Sequence, residues 1–267
     1  CEKVDHRSDA FLLSQIAKSD LMLDRREAVI AISKTKNSNL KATIAGIAMK
    51  DKSPYVRIEG LNILNQLNEA GRTKVLKDVK RLAEKDTAFP VRAAAITALV
   101  EVYHLNEKKI YETGWEAMSY EVNSEALLAM SKFSSEKSLD LARNTLANNP
   151  RSEMNLSCWQ VLAKNGSASD LTILVNSVLH VKAQWREYGL VYIGRYAIFH
   201  NQELSNAAIS VLFDIHEKNI ELRPRCLSVL NYLKDYWTEQ TETTEDKASK
   251  KDFELRLDSL EKQMSRL

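Results

Sequence analysis

One short phrase recurs seven times along this chain, at intervals of 31 to 37 residues: an Arg or Asn, a small residue three positions later, and apolar residues at plus four and plus seven. The anchors are Arg25, Arg57, Arg92, Asn123, Asn155, Arg186 and Arg223. The small residues are Ala28, Gly60, Ala95, Ala126, Cys158, Gly189 and Cys226. Val29, Leu61, Ile96, Leu127, Trp159, Leu190 and Leu227 stand at plus four, and Ile32, Leu64, Leu99, Met130, Leu162, Ile193 and Leu230 at plus seven. Positions three, four and seven apart share one face of an α-helix, so each phrase is a buried stripe that narrows where a neighbouring helix comes close. A lone helix cannot bury such a stripe. A period in the thirties therefore predicts stacked helical units, an all-α solenoid.

A second amphipathic segment precedes each phrase, at roughly 9–18, 38–50, 71–85, 105–118, 135–148, 168–180 and 203–217. The unit is thus helix, turn, helix, repeated about seven times. Ser38, Asn106, Ser135, Ser167 and Asn201 are placed to cap the first helix of a unit by accepting from its free N–H groups. Pro54, Pro90, Pro150 and Pro224 all fall within five residues of an anchor, which suits the first turn of the second helix, where a missing N–H is harmless. We expect one helical-repeat domain over 1–237. The segment 238–250, TEQTETTEDKASK, reads as a polar linker, and 251–267 as a terminal amphipathic helix. That last helix carries Phe253, Leu257, Leu260, Met264 and Leu267 at steps of four and three, and is expected to fold back as a cap over the open end of the stack, or else to dock or dimerise.

With 38 basic and 36 acidic side chains, no global field draws the chain to nucleic acid or an anionic membrane. No apolar run is long enough to span a bilayer. Cys158 and Cys226 fill the small slot of the repeat, which points to packing. Cys1 in place of Met is expected either as a processed lipoprotein terminus or as the edge of an excised piece, since the repeat begins almost at once. H-E-x-x-H is approached only by His216-Glu217-Lys218-Asn219-Ile220, which lacks the second imidazole. His6, His104, His180 and His200 are isolated in sequence, and no C-x-x-C, G-x-S-x-G, P-loop or dinucleotide fingerprint occurs. The expectation is no catalytic, cofactor or metal residue in this chain.

Two surface patterns remain. Lys74, Lys77, Arg81 and Lys85 form a basic stripe, interleaved with Asp78 and Glu84, for which a solvated face is expected over phosphate tracking. Trp185, Tyr188, Tyr192, Arg195 and Tyr196 form an aromatic and basic ridge, with Phe199 and Arg186 beside it, on a helix expected to line the concave side. These five are the candidate interaction surface, with core packing as the alternative.

The stretches DKSPYVR (Asp51 to Arg57) and DTAFPVR (Asp86 to Arg92) resemble HEAT repeats, so the expected fold is a HEAT/armadillo-like right-handed superhelical solenoid with a C-terminal capping helix. The phrases LDRREA in Phe11 to Val29 and SYEV in Ser119 to Leu127 resemble the C-terminal helical domain of zinc aminopeptidases of the aminopeptidase N family. That resemblance implies an accessory domain packing on a peptidase catalytic domain in the same polypeptide and shaping peptide access, with zinc held only by the catalytic domain absent from this chain. The alternatives are a free-standing adaptor that binds a protein partner on its concave face and, more distantly, a helical-repeat DNA repair enzyme.

Overall fold

The computed structural model describes residues 6–148 and 154–266. Among them every regular element is helical, with no strand. Contacts divide the chain into two compact units, Cys1–Phe133 and Ser134–Leu267, a division that the uniform sequence period does not signal.

The first unit holds α1 (His6–Lys18), α2 (Met22–Ser33), α3 (Ser38–Ala48), α4 (Pro54–Asn62), α5 (Glu69–Lys85), α6 (Phe89–Glu101), α7 (Lys108–Trp115) and α8 (Tyr120–Phe133). Odd-numbered helices stack on odd and even on even, α1 on α3 on α5 on α7 and α2 on α4 on α6 on α8, so the unit has two layers. The second unit holds α9 (Ser135–Asn148), α10 (Asn155–Asn165), α11 (Ala168–His180), α12 (Ala183–Phe199), α13 (Gln202–Lys218), α14 (Arg223–Thr243) and α15 (Lys247–Met264). Its layers are α9, α11 and α13, and α10, α12 and α14. All seven first helices and all seven second helices stand where the periodicity puts them.

The repeat phrase is the seam between the layers. All seven small residues are buried, as are thirteen of the fourteen apolar positions. Leu227 is the exception and is half-exposed. In α14 the buried set is Cys226, Val229, Leu230, Leu233 and Trp237, because the helix turns Val229 onto the bare backbone of Gly194 in α12. The small slots are real close approaches. A Cβ on Gly60 would lie 3.0 Å from the Ala48 Cβ and the Met49 N, and one on Gly189 would lie 2.5 Å from a Val178 methyl. Burial pushes the Cys158 thiol up to about 12 and that of Cys226 up to about 11, so both stay protonated at neutral pH and pack as small apolar groups.

The anchors close each unit's turn. Arg25 Nη1 donates to the carbonyls of Ser19 and Asp20, and Arg57 Nη1 to those of Asp51 and Lys52, at 2.9 to 3.1 Å. Asn123 donates to the Gly114, Trp115 and Ala117 carbonyls, Arg186 to Val181, and Arg223 to His216 and Glu217. Each is a chain segment at or just after the end of a first helix, where carbonyls lack an intrahelical partner. Arg25 also grips Asp51 of the next turn at 2.7 and 3.0 Å, and Arg57 grips Asp86 at 2.7 Å. Arg92 makes no such bond among the described residues, and its Nε is buried without a partner, since the position six before the next anchor, held by Asp51 and Asp86 in the earlier turns, is Ala117.

Capping differs in detail from expectation. Ser167 forms a capping box with Asp170, and Asn201 accepts from Leu204 N. The cap of α3 is Asn37, one residue before Ser38, and Glu107 precedes α7 where Asn106 was expected. Pro54 opens α4, Pro90 and Pro224 sit at the second residue of α6 and α14, and Pro150 lies outside the described residues, as does Cys1.

The 238–250 segment is not a linker. The α14 helix runs to Thr243 and α15 starts at Lys247, leaving three residues between them. Polar composition misled here, because a helix needs only one apolar stripe and α14 already has one. Thr238 and Thr243 donate their hydroxyls to carbonyls four residues back, and Asp246 caps α15 by accepting from Ser249 N. The α15 helix folds back on α13 and α14 as the cap. Leu260 is buried, Phe253, Leu257 and Met264 are half-buried, and Leu267 is outside the described residues. Arg256 is also buried in that interface and donates to the Ala197 and His200 carbonyls at the end of α12.

Two outcomes follow from this packing. Gly60→Ala should destabilise by about 1–3 kcal/mol through overpacking, whereas Gly46→Ala, whose Cβ would meet Val75 at an ordinary 3.6 Å, should be neutral or stabilising by about 0.5–1 kcal/mol through helix propensity. Urea unfolding of both variants checks the contrast. The second outcome concerns acid. Burial opposes charge on Asp51 and Asp170, but the bonds from Arg25 and Arg143 and from the N–H groups of Ser53 and Ser167 outweigh it and hold both carboxyls below their usual range. Their contribution is therefore complete above the unfolded value of about 4 and is lost as pH falls through the folded value. Asp51→Asn should lower stability at pH 7 by about 3 kcal/mol and flatten the loss on going to pH 3, measured by urea unfolding at both values.

Candidate functional site

The expected ridge belongs to α12, which begins after the extended residues Val181 and Lys182. Successive residues of a helix are turned by 100°, so Trp185, Tyr188, Tyr192, Arg195 and Phe199, at steps of three and four, lie on one strip. The structure places Tyr188 and Phe199 more than half exposed, Arg195 exposed, and Trp185 and Tyr192 half-buried. Trp185 and Tyr188 rings tilt against each other at 5.7 Å. Tyr192 leans on the buried Trp159 of α10 at 6.1 Å, and the Arg195 guanidinium lies 5.2 Å from the Tyr192 ring centre. That is cation–π distance, and it fixes Arg195 along the surface.

Tyr196 does not belong to this surface. Turned 100° from Arg195, it points to the core, where it is fully buried and donates its hydroxyl to the Ser167 carbonyl at 2.8 Å. The His200 ring lies tilted against it, with centres 4.0 Å apart. Burial pushes the Tyr196 hydroxyl up to about 12, so it stays a donor at any ordinary pH. The ridge is therefore four surface residues and one core residue.

Beside the strip lies a cavity of about 330 Å³ between α12 and α14, lined by Val191, Arg195, Arg225, Ser228, Val229 and Tyr232. Sequence reasoning found Arg195 alone among these. Arg225 is half-buried and donates its Nε to the Glu187 carbonyl of α12 at 3.3 Å, which holds it across the two helices. Val191 and Val229 give an apolar floor, and Ser228 and the exposed Tyr232 bring hydroxyls. Neither Arg195 nor Arg225 is paired with a carboxylate among the described residues. The missed residues did carry a signal. Arg225, Ser228, Val229 and Tyr232 stand two, five, six and nine positions after Arg223, as Tyr188, Val191, Tyr192 and Arg195 do after Arg186. Equivalent positions of adjacent repeats lie side by side, so aligning the two phrases brings these residues together, while the space between them depends on how the two helices pack.

On the corresponding face of the first unit two cations are paired with carboxylates. Arg26 is bound to Glu59 at 2.6 Å and Lys132 to Glu101 at 2.6 Å, each linking neighbouring second helices. The basic stripe on α5 is likewise engaged with α3 and its own helix: Lys74 donates to the Thr43 hydroxyl, Arg81 to the Met49 carbonyl and Lys85 lies near Glu84. Among the described residues no three His, Cys, Asp or Glu side chains gather closely enough to hold a metal ion, and no helix is long and apolar enough to cross a membrane. His180 meets the Asn176 carbonyl, His200 that of Ala163, and the His6 side chain lies outside the described residues.

A family model described as HEAT repeats matches residues 10–100, the span that carries the anchors Arg25, Arg57 and Arg92. No curated protein and no solved structure matches the chain. The fold is HEAT-like, a stack of helical hairpins, and nothing in the match is particular to an aminopeptidase.

Proposed function

We propose that this chain is a non-catalytic helical-repeat scaffold that binds a polypeptide partner on the second-helix face of its second unit, around Trp185, Tyr188, Tyr192 and Arg195. The observation that carries the proposal is the exposure of Tyr188 beside an Arg held over Tyr192 on a rigid helix. Aromatic and Arg side chains dominate the anchors of protein interfaces because they offer large contact area and fixed donors at small entropic cost. Solvent alone would not require such a cluster, and the core already has its own aromatic residues in Trp159, Tyr196 and Trp237.

A zinc aminopeptidase catalytic domain in the same polypeptide is one partner of this kind, with peptide access as the outcome. What supports it is the resemblance of LDRREA and SYEV. A separate protein partner would use the same surface chemistry, so the proposal is the interaction surface itself.

A photoreactive residue replacing Tyr188 in the producing cell should cross-link to one defined polypeptide, whereas the same residue at Ser210, exposed on α13, should not. Tyr188→Ala combined with Arg195→Ala should weaken the isolated complex at least tenfold, about 1.4 kcal/mol, with an unchanged thermal melt. Equal cross-linking at both positions, or undiminished affinity of the double variant, would overturn the assignment.

A further inference from the structure

We infer that the cavity between α12 and α14 is a receptor for a phosphorylated tyrosine side chain carried by the bound polypeptide. This deepens the scaffold proposal and rests on it. The argument begins with charge. Arg195 and Arg225 bring two positive charges to a cavity of about 330 Å³, and no carboxylate among the described residues neutralises either one. Three other cations of second helices do have a carboxylate: Arg26 has Glu59, Lys132 has Glu101 and Lys234 has Glu261. What sets Arg195 and Arg225 apart is that two guanidinium groups without a carboxylate line one cavity, a place suited to a countercharge from outside.

The cavity then selects among anions. A carboxylate supplies one negative charge and would leave one guanidinium uncompensated. A phosphate monoester carries nearly two near neutrality and has three acceptor oxygens. The donors to meet them are present: the terminal nitrogens of both Arg side chains, which have no hydrogen-bond partner among the described residues, and the hydroxyls of Ser228 and Tyr232. Guanidinium forks suit phosphate better than an ammonium would because two parallel N–H groups can bind two oxygens. The rest of the lining is apolar, Val191, Val229 and the Tyr232 ring, and would be poorly used by inorganic phosphate or by a short alkyl phosphate. An aromatic ring attached to the phosphate fills that part.

Position joins the cavity to the scaffold surface. Arg195 belongs to both, lining the cavity while it rests on Tyr192 of the ridge. A chain lying on Trp185 and Tyr188 could therefore deliver one modified side chain between the two helices. Binding would depend on phosphorylation and fall with salt, as charge pairs at a surface do.

The test is calorimetric titration of the full chain with N-acetyl-phosphotyrosine amide, N-acetyl-tyrosine amide and inorganic phosphate. The phosphorylated amide should bind at least tenfold tighter than either of the other two, as charge-assisted bidentate contacts and the ring each contribute. Arg195→Ala and Arg225→Ala should each reduce that binding at least about tenfold, and Arg225→Lys should recover part of it. Thermal melts identify any variant that has lost its fold, and the Lys variants at both positions keep the comparison possible if an Ala variant has. Equal binding of the two amides would overturn the inference, as would phosphate binding as tightly as the phosphorylated amide, which would indicate a mere anion site. Loss of phosphotyrosine binding with an intact Tyr188 cross-link would remove this inference and leave the scaffold. A missing cross-link with phosphotyrosine binding retained would remove the scaffold surface instead.

Discussion

The stack is held in register by what the anchor side chain does at the turn between two helices. A first helix ends with carbonyls that have no intrahelical partner, and the second helix starts within a few residues, so those carbonyls would be buried unmet. Arg25, Arg57, Asn123, Arg186 and Arg223 all reach back to them. In the first two repeats the same guanidinium also holds an Asp of the next turn, so one side chain ties three segments: Arg25 carries Ser19, Asp20 and Asp51. Such a pair is expensive to bury, and Arg25–Asp51 is close to fully buried on both sides. Its value is positional. It fixes which turn lies over which, while the apolar stripe behind it supplies the bulk of the stability.

That division of labour explains the small residue at plus three. An anchor can reach the carbonyls of its own turn only where the two helices of the hairpin come close, and closeness is set by Gly60 against Ala48 and Met49, or by Gly189 against Val178. The second unit links one turn to the next differently. Asp170 there receives Arg143 from α9 at 2.7 and 2.9 Å and caps α11 at the same time, so the buried carboxylate is served by a first helix rather than by the anchor. Where the next turn has Ala117 at the position of Asp51 and Asp86, as after Arg92, the ladder stops, and the following anchor is Asn123, which needs only carbonyls.

The surface of the second helices is where repeats diverge. Their buried positions are under the same packing constraint throughout, but the position two residues after the anchor is free to change. It is Glu in three repeats of the first unit, at Glu27, Glu59 and Glu125, and Tyr188 and Arg225 in the last two repeats of the second. Glu59 and Glu125 are engaged by neighbours, Arg26 and Thr97, so that face is closed on itself. The later repeats carry aromatic and basic groups without such partners, which is the chemical basis for placing recognition there.

The sequence by itself determined the fold class, the number of hairpins and the buried stripe, because helical burial repeats every three to four residues and each phrase states it in full. It also marked α12 as unusual. What it could not determine were properties set between segments. Tyr196 looks like part of the ridge in a linear list, but a 100° step turns it to Ser167. Leu227 fits the phrase, yet Val229 takes its place because Gly194 leaves room opposite. The polar 238–250 segment becomes mostly helix because α15 packs along it, with Arg256 closing the carbonyls of α12 from more than fifty residues away. The cavity likewise exists only when α14 lies beside α12 and brings Arg225 and Tyr232 to Arg195. Local periodicity is written in one segment, whereas a shared cavity, a cap or a lost contact is decided by which second segment arrives there.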